Sequence, residues 1–321
     1  MENLLKNYYA IFIEEKIVID GHIGYRTSDV VYFIKPVHSN EAILMEQAAL
    51  TYYLVENKYA HTAFPIQNIY GEWLTRYHNI LYIVMQVLMF KNDLKQSHGA
   101  LLAHFHDCTV HYMHEPQYIS SYGKWKELWI HKLTKIEQHV YTEMNDHEDT
   151  FYNLVIDSLP YVIGISENAI QYMNETEAES LYNMNDRGTI TFLRYDEQLL
   201  RPIIWLNDLF YDHPVRDIAE YIRKRLLKED SVQTIKQFLF HYETIRPLSK
   251  FSWRLLYARL LYPIHMLDFL ELSFSSHSNQ DCYTLYKDLL QKQTLYEKNL
   301  KRLFSSYMHH DNKRIPMLQW M

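Results

Sequence analysis

One change of pattern near residue 90 limits what this chain of 321 residues can fold into. Before it, apolar residues come in short β-branched and aromatic runs, at 8–13, 17–20 and 30–37. Such runs predict strands. Asp20-Gly21 and Gly24 lie between the second and third and supply hairpin-turn chemistry. A helix is expected over 40–56: Ser39-Asn40 offers an N-cap, and Ile43, Glu46-Gln47, Leu50 and Leu54 recur at helical spacing. Runs at 66–69, 71–76 and 80–88 read as strands again.

After Lys91-Asn92-Asp93 long helical periods take over. Residues 94–111 form the first. The second, 125–141, places Trp125, Trp129, Leu133, Ile136 and Val140 three or four apart. Shorter helices are expected at 151–159 and at 166–173, the latter opened by Ser166, with Gly164-Ile165-Ser166-Glu167 as its cap. Two strand-like runs, 189–193 and 202–205, form a hairpin that interrupts the helices. Helices return at 217–227, 232–242, 251–262 and 283–307, and Pro263 should stop the third, lacking an N–H to continue it. The expected organisation is α+β: residues 1–90 as a β-rich lobe with one helix, and 91–321 as a helical lobe with a hairpin embedded near 188–206.

Composition removes several function classes. With 48% apolar and 22% charged residues the chain reads as an ordinary globular protein. The net charge of −7 leaves no footprint for nucleic acid. The basic run Arg223-Lys224-Arg225 with Lys228 is balanced by Glu220, Glu229 and Asp230 and reads as a solvated helix face. Cys108 and Cys282 are too few for a disulfide framework or a thiolate zinc site. No apolar stretch reaches the roughly 20 residues of a spanning helix, and the charged N-terminus lacks the apolar core of a signal peptide. Gly-x-Ser-x-Gly is absent, which leaves no nucleophile elbow. His98, His104, His106, His111 and His114 crowd one helix, but their spacing presents no three-ligand metal set, and His309-His310 reads as an exposed pair. The 28 tyrosines suit lobe packing and, where exposed, interfaces.

The order of elements resembles the kinase-like fold of aminoglycoside and choline phosphotransferases. Leu102-Ala103-His104-Phe105-His106 is similar to the end of their helix after the hinge, and Tyr211-Asp212-His213-Pro214-Val215-Arg216-Asp217-Ile218-Ala219 to their Asp-x-Pro-x-x-Asp-Leu-Ala segment. Leu260-Leu261-Tyr262-Pro263 is similar to the late helix of the bacterial spore-coat kinase-like family, CotS and its relatives, and Glu167-Asn168-Ala169-Ile170-Gln171-Tyr172 points to one branch of it. The resemblance covers nearly the whole chain. It implies a two-lobed kinase-like fold, synthesis in the mother-cell cytoplasm, deposition in the spore coat, and other coat proteins as partners.

Phosphoryl transfer needs a Lys on the phosphates, a helix Glu that steadies it, an Asp near the attacking hydroxyl, and ligands for magnesium. Lys35, in the third strand, matches the family's phosphate-binding Lys, and Glu46 on the next helix is placed to pair with it. The catalytic loop departs from the pattern. The family's His-Gly-Asp falls on Phe192-Leu193-Arg194, and an Arg accepts no proton. The metal-binding Asp falls at Trp205, which has no oxygen to ligate a metal. Asp217 matches the Asp of Asp-Leu-Ala and should be structural, as an N-cap or a buried acceptor.

The expectation is a pseudokinase that serves the coat as a structural or interaction component, with no metal and no confident cofactor. Two alternatives remain open. One is an active phosphotransferase of small molecules or proteins that uses Asp196 or Asp208 in altered places. The other is a nucleotide sensor that keeps ATP through Lys35 without magnesium. Arg194 is expected to pair with Asp196, Asp208 or Asp212, or to lie open to water, since an unpaired buried guanidinium is costly.

Overall fold

The computed structural model describes residues 1–28, 30–38, 40–88, 90, 96–143, 150–179, 182–228, 231–275, 279–307 and 315–318. Ser39, Lys91–Leu94, Glu229, Asp230 and His309-His310 from the sequence reading lie outside them. The chain divides into two compact units: residues 1–120 with 188–212, and 121–187 with 213–321.

The first unit is built on an antiparallel sheet. Its strands are β1 (Glu15–Ile19), β2 (His22–Arg26), β3 (Val31–Pro36), β4 (Phe64–Pro65), β5 (Leu74–Tyr77) and β6 (Ile80–Val87). They are ordered β1-β2-β3-β6-β4, with β5 also paired to β6. Both sheet faces are apolar. Val31 and Phe33 of β3 and Ile83, Met85 and Val87 of β6 share one core with Leu44 and Ala48 of helix α2 (Glu41–Glu56), and Ile203, Trp205 and Leu206 pack into the same core. The alternate residues Tyr25, Tyr82 and Val84 face helix α1 (Glu2–Tyr9) through Leu4, Leu5 and Tyr9. The period of two thus sends successive side chains into two different cores. Burial of Leu4 and Leu5 stabilises the unit by about 1.5–3 kcal/mol each. Helix α3 (His98–Thr109) and a separate strand pair, β7 (Thr189–Phe192) with β8 (Leu209–Asp212), complete it. Asn40 caps α2, its Oδ1 accepting from Ala42 N at 2.9 Å.

Several local expectations are corrected here. Residues 8–13 are not a strand: the apolar run starts inside α1, which Ala10 closes in the left-handed region at φ 54°. β2 fills the stretch read as turn. Only Asp20 (φ 51°) and Gly21 (φ 74°) turn, which makes a two-residue hairpin of the Asp-Gly kind. Gly24 serves packing, since a Cβ there would lie 2.8 Å from Val31 Cγ1 and 2.9 Å from Phe33 Cε1. The strand-like residues 202–205 do not pair with β7. Ile204 instead bridges to the stretch beside Thr62, with Ala63 N donating to Ile204 O at 2.8 Å.

The second unit is helical: α4 (Trp125–Glu143), α5 (Thr150–Ala178), α6 (Val215–Leu226), α7 (Ser231–Ile245), α8 (Lys250–Leu261), α9 (Ile264–Ser275) and α10 (Asn279–Tyr307). The two short helices expected at 151–173 are one. α5 runs through Pro160 because its buried face, Phe151, Val155, Leu159, Val162, Ser166, Ala169 and Met173, keeps helical spacing across the proline. Ser166 is no cap; mid-helix, its hydroxyl donates back to Val162 O at 2.7 Å.

α8 does end before Pro263, as expected, and α9 begins at once. The orphan carbonyls of that end are satisfied by side chains. Arg223 donates to Tyr262 O at 3.1 Å and Arg259 O at 2.5 Å, and Tyr296 to Leu260 O at 2.7 Å. The basic run is therefore not wholly a solvated face: Arg223 is buried as a cap for another helix.

Candidate functional site

The first unit gathers the expected site around Lys35. β3 places Lys35 on the same sheet face as Val31 and Phe33, the face that Trp205 covers. Lys35 Nζ lies 3.6 Å from the centroid of the Trp205 ring, a close cation–π contact. Trp205 is buried and held on three sides. Its ring meets Phe33 edge to face at 5.0 Å and His22 at 4.6 Å, and its Nε1 donates to Asp20 Oδ2 at 3.3 Å. Asp208 ends the short turn Leu206–Asp208 that Trp205 introduces.

The charges in this cluster perturb one another. Burial lowers the Lys35 pKa, while Asp208 and Asp20 oppose that shift. Burial raises the Asp208 carboxyl above its ordinary range, against the pull of Arg201 and Lys35. His22 is lowered by burial and by Lys35. One ammonium thus faces two carboxylates, with an indole over it.

Glu46 does not pair with Lys35. Its carboxylate accepts three successive backbone N–H groups, from Gln117 at 2.7 Å, Tyr118 at 2.8 Å and Ile119 at 3.0 Å. Three convergent amides form an anion nest that satisfies the carboxylate without a cation.

The positions to which the resemblance assigns the catalytic His and Asp carry no proton-transfer group. Phe192, at the expected His position, is buried and stacks on Phe105 at 5.3 Å. Arg194 is exposed, and its carbonyl accepts from Gln198 Nε2 at 2.8 Å. Asp196 is exposed and ion-paired with Arg201 at 3.3 Å, so it does not join the Lys35 cluster. Asp208 does. Among the described residues no group of three or more His, Cys, Asp or Glu is placed to hold a metal. Trp205, at the position to which the resemblance gives the metal-binding Asp, supplies no donor oxygen, so that position does not fit magnesium.

Asp20 and His22 escaped the sequence reading. They sit at the tip of the β1–β2 hairpin. The two-residue turn there, Asp20-Gly21, opens on an acidic side chain. The signal was present in Asp20-Gly21, but as turn chemistry only.

In the second unit, the His213–Asp217 segment is a buried junction. His213 Nδ1 accepts from Val215 N at 3.1 Å, and Nε2 lies 3.5 Å from Asp186 Oδ1. Asp186 Oδ1 also accepts from Ser249 and Ser252 at 2.6 Å each, and Oδ2 from Asn183 N at 2.7 Å. Burial works to raise the Asp186 pKa, but these hydrogen bonds outweigh it and hold the group below its ordinary value. Asp217 is buried three residues into α6, behind Pro214 as N-cap, so it is not itself the cap. No described helix is long and apolar enough to cross a membrane.

The fold is shared with solved phosphotransferases. An aminoglycoside phosphotransferase from Alicyclobacillus acidocaldarius superposes with a TM-score of 0.68 over 97% of both chains at 12% identity. Amicoumacin kinase does so at 0.54 over 92% of both chains, at 13% identity. At these identities the likeness establishes a two-lobed kinase-like fold. In sequence, the chain is 32% identical over 296 residues to "Endospore coat-associated protein YutH" of Bacillus subtilis, spanning 88% of this chain and 86% of that one. The family model described as "Spore coat putative kinase YutH" matches residues 2–303. The chain therefore belongs to the spore coat YutH family, on a kinase-like fold of the aminoglycoside phosphotransferase type.

Proposed function

We propose that this chain is a structural or interaction component of the bacterial endospore coat whose kinase-like scaffold no longer transfers phosphate. The coat assignment rests on family membership and on the name of its Bacillus subtilis relative. It implies synthesis in the mother cell and other coat proteins as partners. The loss of phosphotransfer rests on one observation, the Lys35 ammonium 3.6 Å over the Trp205 ring. In that arrangement the phosphate-binding cation is already engaged, a ring stands where a metal ligand is needed, and Asp20 adds negative charge where a triphosphate would lie. Arg194 in place of a general base removes a further 10²- to 10⁴-fold, roughly, from any residual rate.

Coat assembly should then be independent of the site. In sporulating Bacillus subtilis lacking its own relative, a tagged Lys35→Ala chain should reach the coat at the same level as the native chain. Loss of coat deposition in Lys35→Ala, with the folded protein still present in the mother cell, would contradict the proposal.

A further inference from the structure

The second unit holds a partly open cavity of about 170 Å³ that shares no residue with the Lys35–Trp205 cluster. Its wall is a ring of aromatic side chains. Tyr182 meets Phe251 edge to face at 5.9 Å, Phe251 and His213 lie 6.1 Å apart, and His213 meets Trp125 edge to face at 6.4 Å. Tyr122 closes the ring, its hydroxyl 2.5 Å from that of Tyr182 and 2.9 Å from Asp186 O. Met173 lines the space between them.

Two properties select an occupant. The first is polarity. The tyrosine hydroxyls are turned to each other and to the backbone, and a buried water needs two to four polar partners. The lining offers too few, so the space suits an apolar body. The second is size. An apolar cavity of about 150 Å³ is enough to take benzene. Glu177 adds one polar feature at the lining. Its Oε2 accepts from Lys126 at 3.0 Å, and its Oε1 accepts from no described residue. The side chains of Lys126 and Glu177 are each 34% exposed, so this ion pair is a weak surface one and Glu177 stays available as an acceptor.

We propose that this cavity binds a small planar aromatic molecule, one ring or two fused rings in size, whose ring lies among the aromatic walls and whose single N–H or O–H donates to Glu177. Phenol and indole have this chemistry; benzene has the ring without the donor. The proposal does not depend on whether the chain transfers phosphate.

The test uses the full chain labelled with 13C at methionine methyls, the Met173 signal being assigned by its loss in Met173→Leu. Titration with indole should move the Met173 signal saturably, through the ring current of the bound molecule. Benzene should move it too, more weakly. Glu177→Met should weaken indole about tenfold, the effect of removing one hydrogen bond to a charged acceptor, and leave benzene unchanged. Leu255→Phe, which fills the cavity, should abolish both. Tyr182→Ala, at a half-exposed edge of the lining, gives a second readout that leaves the core intact, and should weaken both. An immobile Met173 signal up to the solubility limit of indole and benzene would overturn the proposal. So would saturable shifts of native size in Tyr182→Ala or in a natively folded Leu255→Phe. Equal indole affinity in Glu177→Met would remove the donor contact from it.

Discussion

Lys35 and Trp205, 170 residues apart in sequence, meet with the ammonium 3.6 Å above the indole ring. The contact joins the two positions to which the resemblance gives the phosphate and the metal, and in the proposed reading it satisfies both with each other. Two expectations follow from it, and two more from Glu46 and His265 elsewhere in the fold.

Trp205 belongs to the core of the first unit as well as to the site, packed on Phe33 and His22. Trp205→Ala should therefore destabilise the protein by about 3–5 kcal/mol, the usual range for a large buried aromatic. Urea unfolding followed by circular dichroism measures this. A change below about 1 kcal/mol would mean that the ring is not packed as described.

Arg194 is exposed, so its replacement should leave stability within about 0.5 kcal/mol. Arg194→Asp should also create no phosphotransfer, because Trp205 still denies the metal and still covers Lys35. Incubation with labelled ATP, magnesium, a panel of sugars and a generic protein substrate tests this. Label incorporation above the native chain would show that the remaining machinery is intact.

Glu46 holds the backbone of Gln117–Ile119 through three charge-assisted hydrogen bonds. Glu46→Ala should release those amides. Hydrogen exchange at 117–119 should accelerate at least tenfold, with a loss of about 1–3 kcal/mol in stability. Unchanged exchange at these three amides would contradict the nest. A kinase-type pairing of Glu46 with Lys35 would leave them unaffected.

His265 gives stability a specific pH dependence. It is half-buried on α9, with Nε2 bonded to Gln293 Oε1 at 2.9 Å, and removal from water, aided by Arg223, lowers its pKa to about 4. The unfolded chain binds this proton near pH 6.5 and the folded chain only near 4, so stability is present above 6.5 and is lost as pH falls through that window. The full effect is about 3 kcal/mol. His265→Gln should flatten the slope of unfolding free energy between pH 6.5 and 4. An equal slope in the variant would assign the dependence to other groups.

How much of this was legible in the sequence depends on how local each signal is. Lys35 stood out because it lies in the third strand, where the resemblance puts the phosphate-binding Lys. Pro263 was legible because a missing N–H stops a helix whatever surrounds it. Pro160 carries the same local signal, yet the buried face of α5 overrides it, and that face packs against residues far away in sequence. Residues 202–205 read as a strand from β-branched and aromatic content alone; pairing decides, and β7 takes Leu209–Asp212 instead. The partner of Glu46 lies 71 residues away at its nearest, and the hydrogen bond of Trp205 to Asp20 spans 185. Spacing along the chain carries no trace of such contacts, so the departures from the family pattern at Phe192, Arg194 and Trp205 were readable from residue types, while the contacts these residues make were not.

The most direct test is the melting temperature of the full chain with ATP, with and without magnesium. A ligand at about 100 times its dissociation constant stabilises the folded state by about 2.7 kcal/mol, which shifts a domain of this size by several degrees. With Lys35 engaged by Trp205 and Asp20 bonded to the same indole, millimolar ATP should leave the melting temperature unchanged in both conditions. A saturable, magnesium-dependent rise of several degrees, absent from Lys35→Ala, would contradict the account.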